Sequence, residues 1–184
     1  MRVEPQENYP PYKIETGTLN HEGIAGAAEA IEFIADIGAK FGKENEFHQK
    51  VADLESRRRK IVAGLLQFDG YEQELTDYLI EELSDIRGIR IYGPPEGYPR
   101  TSTVSFTYAG YSAREVAQYL DTKGIFVWDG DFFATKVVER LGLSDQGGLV
   151  RIGISPYNTR EELTWVIEAL KDEDALRTCA RNKR

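Results

Sequence analysis

The hydrophobic pattern of this chain changes its period once, and the change limits the possible folds. Before about residue 84 the apolar residues recur at helical spacing, over Ile24 to Ile37, about 44–67 and about 70–83. After residue 88 short alternating segments exchange with helical ones in the order β-β-α-β-α-β-α. We therefore expect an α/β fold in which about four strands are covered by helices on one face, preceded by long helices.

Local signals give the limits of the later elements. Ser112 with Glu115 and Thr159 with Glu162 fit the capping box, so helices should begin directly after each first residue. A further helix is expected over Asp131 to Leu141. The predicted strands are Ile89–Tyr92, Thr101–Tyr108, Ile125–Trp128 and Leu149–Ile154.

Composition excludes several classes of partner. The chain has 184 residues, a formal net charge of −8 and 41% hydrophobic residues, so a general binder of nucleic-acid phosphates is not expected. A single cysteine, Cys179, cannot form an internal disulfide, and no apolar run is long enough to cross a bilayer. We expect a cytoplasmic protein without a membrane partner. His21 and His48 have no second ligand at a metal-binding spacing, so no metal is expected.

Arg151 lies inside an apolar strand. Val150, Ile152 and Ile154 alternate with it, so the arginine should face away from these three side chains. A guanidinium on a rigid strand is a forked donor that suits a planar carboxylate. The spacing alone favours a more ordinary interpretation, in which the arginine lies in solvent or in a structural ion pair.

Three segments in order resemble one family. Residues 14–26, 124–130 and 151–159 are similar to segments of class V aminotransferases, which include the cysteine desulfurases, within the fold type I enzymes that use pyridoxal phosphate. The resemblance covers about residues 12–170 and implies the C-terminal part of such an enzyme. On this basis residues 1–40 (an extended arm, a loop and a helix) are the remnant of the large cofactor-binding domain. Residues 41–184 are the small C-terminal domain with its connecting helix.

The resemblance also implies roles for individual residues. Arg151 matches the arginine that binds the substrate α-carboxylate, and Thr18 matches a threonine that reaches the cofactor phosphate of the neighbouring subunit in a dimer. Thr16 and Gly17 belong to the same cofactor loop, and Asn20 and His21 in that loop are candidates for substrate binding. From the residues themselves, the two threonines also fit a turn or a helix cap, and Asn20 and His21 fit local hydrogen bonding.

Parts of the family pattern are missing. The family's lysine that carries the cofactor as a Schiff base precedes the Thr18 segment, where this chain has one lysine, Lys13, without the usual context, and the aspartate that pairs with the cofactor ring has no counterpart. The loop at residues 129–134 holds no thiol, although a cysteine desulfurase carries its sulfur-accepting cysteine there. Cys179 is expected in a mobile tail. We therefore expect no covalent cofactor and no activity from this chain alone.

The leading hypothesis is a C-terminal portion of a class V aminotransferase-like or cysteine desulfurase-like enzyme that acts on an amino acid by transamination, elimination or racemisation. According to this hypothesis, the chain forms a homodimer or joins a missing N-terminal half. A non-catalytic interaction or dimerisation module, or one half of a split enzyme, is the alternative, because the apolar helix at Ile24 to Ile37 would need a partner. An independent small-molecule-binding domain is the third hypothesis.

Overall fold

A computed structural model describes residues 7–15, 17–42, 54–95 and 97–182. The chain divides into two compact units, Met1–Gln67 and Phe68–Arg184. The described helices and strands follow in chain order: α1 His21–Phe41, α2 Ser56–Ser84, β1 Ile89–Tyr92, β2 Thr103–Tyr108, α3 Ala113–Thr122, β3 Trp128–Gly130, α4 Thr135–Leu141, a 3-10 turn Ser144–Gln146, β4 Leu149–Gly153, α5 Arg160–Lys171 and α6 Glu173–Asn182.

In the first unit, α1 packs on the N-terminal turns of α2 through two glycines. A Cβ atom added to Gly38 would lie 1.9 Å from the carbonyl oxygen of Lys60, and one added to Gly64 would lie 2.0 Å from the carbonyl oxygen of Ile34. The helices therefore approach each other backbone to backbone. Most of α1 is exposed, and its buried residues are Ala35 and Gly38.

The second unit is built on a four-stranded antiparallel sheet in the order β1-β2-β4-β3. One face carries Val104, Phe106, Val150 and Ile152, all buried, because every second residue of β2 and β4 points to that side. Helices α2, α3, α5 and α6 cover this face with apolar side chains. The main contributions of these helices to the core are Leu75, Leu79, Leu83, Val116, Tyr119, Leu120, Leu163, Val166, Ile167, Leu170 and Leu176.

Both predicted capping boxes are confirmed. The Ser112 hydroxyl accepts from the Glu115 N–H, and the Thr159 hydroxyl accepts from the Glu162 N–H, each with the reciprocal carboxylate bond to the cap N–H. Such reciprocal bonds satisfy donors that the first helical turn leaves free. The helices α3 and α5 therefore begin where the sequence indicates.

Several predicted limits are wrong. The sequence predicts two separate helices over about 44–67 and 70–83. From Ser56 onward the structure has instead one helix, which runs through Gly70 to Ser84. Residues 43–53 lie outside the described part. The third strand is Trp128–Gly130 rather than 125–128, because its ladder to β4 begins at Trp128. Residues 9–13 of the arm, which was expected to be extended over 1–13, form a hydrogen-bonded turn in which the Lys13 N–H donates to the Tyr9 carbonyl oxygen.

Candidate functional site

The sheet face opposite the helical core presents a row of four side chains, one from each strand. Tyr92 pairs with Ser105, Ser105 with Arg151, and Arg151 with Trp128, so the four residues are direct neighbours across the sheet. Directly paired residues point to the same face. We call this the outer face. The prediction that Arg151 faces away from the apolar side chains of its strand is confirmed by the buried Val150 and Ile152 beside it.

The guanidinium of Arg151 is held by an aromatic ring rather than by an acid. Its Cζ lies 4.5 Å from the centroid of the Phe132 ring, a cation–π contact. No carboxylate forms an ion pair with Arg151 among the described residues. Phe132 also packs on a small apolar cluster of Val138, Leu143 and Leu149, which holds its ring in place. The guanidinium is therefore fixed in position with donors still available for a ligand.

A strained turn presents Phe132 to Arg151. Phe132 and Phe133 both have left-handed backbone conformations, with φ of 55° and 61°. Asp131 stabilises the turn, because its carboxylate accepts from the Phe133 N–H at 3.1 Å and from the Thr135 hydroxyl at 2.6 Å. Both hydrogen bonds lower the pKa of Asp131, and the bond from Thr135 has the larger effect. The turn replaces the first part of the helix predicted from Asp131, which begins only at Thr135.

The Phe133 side chain is fully exposed at this turn, in the segment where the family resemblance would place a cysteine. The one thiol of the chain is elsewhere. Cys179 lies half-buried in α6 and packs against the core of the second unit, so the expectation of a mobile tail is wrong. An exposed phenyl group has no nucleophile with which to accept sulfur.

The predicted cofactor loop belongs to the first unit and precedes α1. Gly17 has φ of 81°, which glycine adopts without strain, and Thr18 is exposed. The Asn20 side chain caps α1 by accepting from the Gly23 N–H at 2.9 Å, and His21 is the exposed first residue of the helix. Thr16 lies outside the described residues. The local role suggested for Asn20 is thus present, while the ligand-binding roles of these residues stay predictions.

Sequence reasoning found Arg151 but missed its surroundings. Ser105 and Trp128 come beside it through strand register, which no local motif encodes. Phe132 reaches it through the turn at Asp131. The one local signal for that turn was Gly130 followed by Asp131, since aspartate commonly accepts from backbone N–H groups two residues onward.

Comparison with known proteins agrees with this architecture. The family model for class-V aminotransferases matches residues 60–166, and the chain belongs to this family. Probable cysteine desulfurases of Staphylococcus epidermidis and Staphylococcus aureus are 31% and 32% identical to it over 161 residues, which cover 88% of this chain and 32% of each relative. The chain thus spans about a third of the length of these curated relatives.

Solved structures confirm the predicted fold class. An apo cysteine desulfurase from Thermococcus onnurineus matches with a TM-score of 0.66 and 25% identity, over 90% of this chain and 34% of that one. The cysteine desulfurase CsdA from Escherichia coli, in an S-sulfonic acid form, matches with a TM-score of 0.63 and 22% identity, over 91% and 33%. The sheet and its helices are therefore those of fold type I enzymes.

This family depends on pyridoxal phosphate. The described residues suit only the cofactor phosphate and the substrate carboxylate. The exposed Gly17–Thr18 loop offers N–H groups and a hydroxyl suited to a phosphate, and Arg151 offers a fork suited to a substrate carboxylate. The pyridine ring needs an amine and an acid, and the outer-face row of Tyr92, Ser105, Arg151 and Trp128 provides neither. These residues therefore do not make a complete cofactor site.

Among the described helices, none combines the length and apolar character needed to cross a bilayer. The described residues also hold no cluster of three or more histidine, cysteine or acidic side chains that could bind a metal ion.

Proposed function

We propose that this chain supplies the C-terminal portion of a pyridoxal-phosphate-dependent enzyme that acts on an amino acid, and that Arg151 binds the substrate α-carboxylate. The observation that carries the proposal is an arginine fixed on a central strand by Phe132, with no acidic partner among the described residues. Arg151 is half-buried, so it has lost part of its hydration, and a charged acceptor would compensate for that loss.

The neighbours of Arg151 support a ligand role. Ser105 provides a hydroxyl on one side, and Trp128, which is 62% exposed, provides an aromatic surface on the other. A planar carboxylate could accept two parallel N–H bonds from the guanidinium while the ring of Phe132 keeps the fork in its plane. Lysine could not replace this geometry, since its ammonium is a single point charge.

The Thr18 loop is the proposed phosphate contact. The exposed hydroxyl of Thr18, with Gly17 and Thr16 beside it, would reach the cofactor phosphate held by a neighbouring subunit of a dimer. Asn20 and His21 would lie at the edge of the same site. The lysine that carries the cofactor and the acid that pairs with its ring would come from the remaining part of the enzyme. The bound cofactor supplies an electron sink for reactions at the substrate α-carbon.

The proposed reaction is a transamination, an elimination or a racemisation rather than sulfur transfer through a loop thiol. Phe133 occupies the exposed turn where a nucleophilic cysteine would be needed. The relatives named as cysteine desulfurases therefore share the architecture of this chain. The proposed difference is that the loop of this chain has no thiol to accept sulfur.

Titration of the 15N-labelled chain with L-alanine, followed by NMR, tests the role of Arg151. We expect shifts centred on the side-chain N–H of Arg151 and on the amides of Ser105 and Trp128. Arg151→Gln should abolish them, and Arg151→Lys should weaken binding by about tenfold because a charge-assisted pair is lost. Arg90→Gln, on the same sheet face, is the matched control. Shifts that persist in Arg151→Gln would refute the assignment.

A second titration tests where the cofactor lysine lies. If the remaining part of the enzyme provides it, pyridoxal phosphate added to this chain forms no stoichiometric complex detectable by absorbance. A stoichiometric complex that Lys13→Ala abolishes would instead show that this chain provides the lysine.

An interaction module is the second candidate function, favoured by the exposed apolar side chains of α1. Ile24 is 57% exposed and Ile31 is 42% exposed, although both are large apolar residues. Such surface favours association. Sedimentation across the micromolar range should then reveal self-association that Ile24→Ser reduces, and a strictly monomeric species would contradict this candidate.

A further inference from the structure

The outer face has a second arginine that the proposed function does not use. Arg100 lies in the segment between β1 and β2, and its position is fixed at both ends. Its carbonyl oxygen accepts from the Gln73 side chain at 3.0 Å, and its guanidinium donates from Nη2 to the carbonyl oxygen of Thr103 at 3.1 Å. The side chain is therefore held in one place over the end of β2.

Most donors of Arg100 are without a protein partner. Its Nε is buried and has no hydrogen-bond partner among the described residues, and no carboxylate there forms an ion pair with it. A guanidinium has five N–H donors, and the Thr103 carbonyl accepts from one of them. The buried Nε is closed to solvent and therefore to a ligand, so the terminal N–H groups of the guanidinium are the donors that a ligand in the cleft could reach.

Arg100 lines an open cleft of about 650 Å³ on the outer face. The other lining residues include Tyr92, Thr103 and Ser105, which carry hydroxyl groups. The described lining residues include hydroxyls and prolines but no carboxylate. The cleft is thus a positively charged space with hydroxyl donors, which suits a small anion rather than a cation.

The cleft adjoins Arg151 through the sheet register. Ser105 lines the cleft and is also the direct β2 partner of Arg151. Thr103, whose carbonyl binds Arg100, is two residues from Ser105 along the same strand, a rise of roughly 7 Å. Ser105 therefore connects the cleft of Arg100 to Arg151 on one sheet face.

We propose that Arg100, with Ser105, binds a second carboxylate of the substrate, so that the substrate is a dicarboxylic amino acid whose α-carboxylate is bound by Arg151. This inference rests on the proposed function of Arg151. It assigns to Arg100 the selection of substrates with an acidic side chain. A neutral side chain offers the accessible N–H groups of Arg100 no charged acceptor, so a dicarboxylate gains one charge-assisted contact that a monocarboxylate lacks.

The test compares L-aspartate and L-glutamate with L-alanine, each titrated into the full chain and followed by NMR. We expect the better of the two dicarboxylates to bind roughly tenfold more tightly than L-alanine, because one charge-assisted contact is added. Arg100→Gln should remove this preference, and Arg151→Gln should weaken all three ligands. Arg114→Gln is the matched control, since Arg114 is an exposed arginine of α3 and does not line the cleft.

The outcomes separate this inference from the proposed function. If Arg151→Gln weakens every ligand and Arg100→Gln leaves the preference unchanged, the role of Arg100 is wrong and that of Arg151 stands. If Arg151→Gln leaves L-alanine binding unchanged, the proposed function is wrong and the inference falls with it. Arg100→Lys, which keeps the charge but not the fork, guards against a folding defect in the glutamine variant. A preference retained in part by lysine and lost with glutamine supports the inference.

Discussion

Gly38 and Gly64 bring α1 and α2 into direct backbone contact, and this contact reverses the usual effect of a glycine-to-alanine change. In a helix interior, alanine is normally about 1 kcal/mol more favourable than glycine. Here the added methyl group would lie 1.9 Å from the Lys60 carbonyl oxygen at Gly38 and 2.0 Å from the Ile34 carbonyl oxygen at Gly64. Both distances are about 1 Å below the shortest that real Cβ atoms adopt, 3.0 Å.

The atom in the way is part of a helix backbone, so a side-chain rotation cannot relieve the overlap. The two helices must move apart and lose the packing around Ala35, one of the buried residues of α1. Overpacking of this kind costs about 3 kcal/mol at the upper end of its usual range. After the gain in helix propensity, Gly38→Ala should destabilise the first unit by about 2 kcal/mol.

Two other glycines are matched controls. Gly26 lies in α1 and Gly70 in α2, and a Cβ added to either meets nothing within 4 Å. Gly26→Ala and Gly70→Ala should therefore stabilise their helices by up to about 1 kcal/mol. Urea denaturation measures the free energy of unfolding, and hydrogen exchange at the α1 amides separates a local loss from a global one. A Gly38→Ala variant as stable as Gly26→Ala would refute the close approach of the two helices.

Three further predictions concern the turn beside Arg151. Phe133→Gly should raise the free energy of unfolding by about 1 kcal/mol, since it relieves a left-handed backbone and loses no buried surface. Phe132→Leu should lower it by roughly 1 kcal/mol, because the cation–π contact with Arg151 is lost while apolar volume is kept; an unchanged urea midpoint would count against that contact. The hydrogen bond from the Thr135 hydroxyl is the main cause that lowers the pKa of Asp131 below its ordinary value of 3.8. The ionised carboxylate of Asp131 therefore stabilises the fold fully above about pH 4, and this stabilisation is lost as the pH falls through the lowered pKa. Asp131→Asn should reduce the acid dependence of the urea midpoint in that range, and an identical pH profile would contradict the turn.

The sheet and the helices α3 and α5 of the second unit could be predicted from the sequence because their signals are local, whereas the last helix, α6, was not predicted. The alternation around Arg151 set the face of its side chain, and the Thr159 capping box set the start of α5. The third strand was misplaced because 125–128 is apolar enough for a strand, whereas pairing with β4 selects Trp128–Gly130. The helix through Gly70 was divided in two because an interior glycine is a local breaker, and the surrounding helix overrides it.

The surroundings of Arg151 depend on contacts between residues far apart in sequence. Phe132 meets the guanidinium only because two consecutive residues adopt left-handed conformations, which phenylalanine rarely does. Arg100 gains its place through the side chain of Gln73, which belongs to a helix 27 residues earlier. Neither contact joins residues at a sequence spacing that a local pattern could reveal.

The charge of the chain bears on the proposed role of Arg151 through the supply of possible acidic partners. Aspartate and glutamate outnumber lysine and arginine by 31 to 23, so carboxylate partners are abundant. Lys171 pairs with Glu82, and Arg177 pairs with Glu173. Against that background, a fixed Arg151 with no acidic partner among the described residues is not explained by a shortage of acids. Under the proposed function, a substrate carboxylate would be the acidic partner of Arg151.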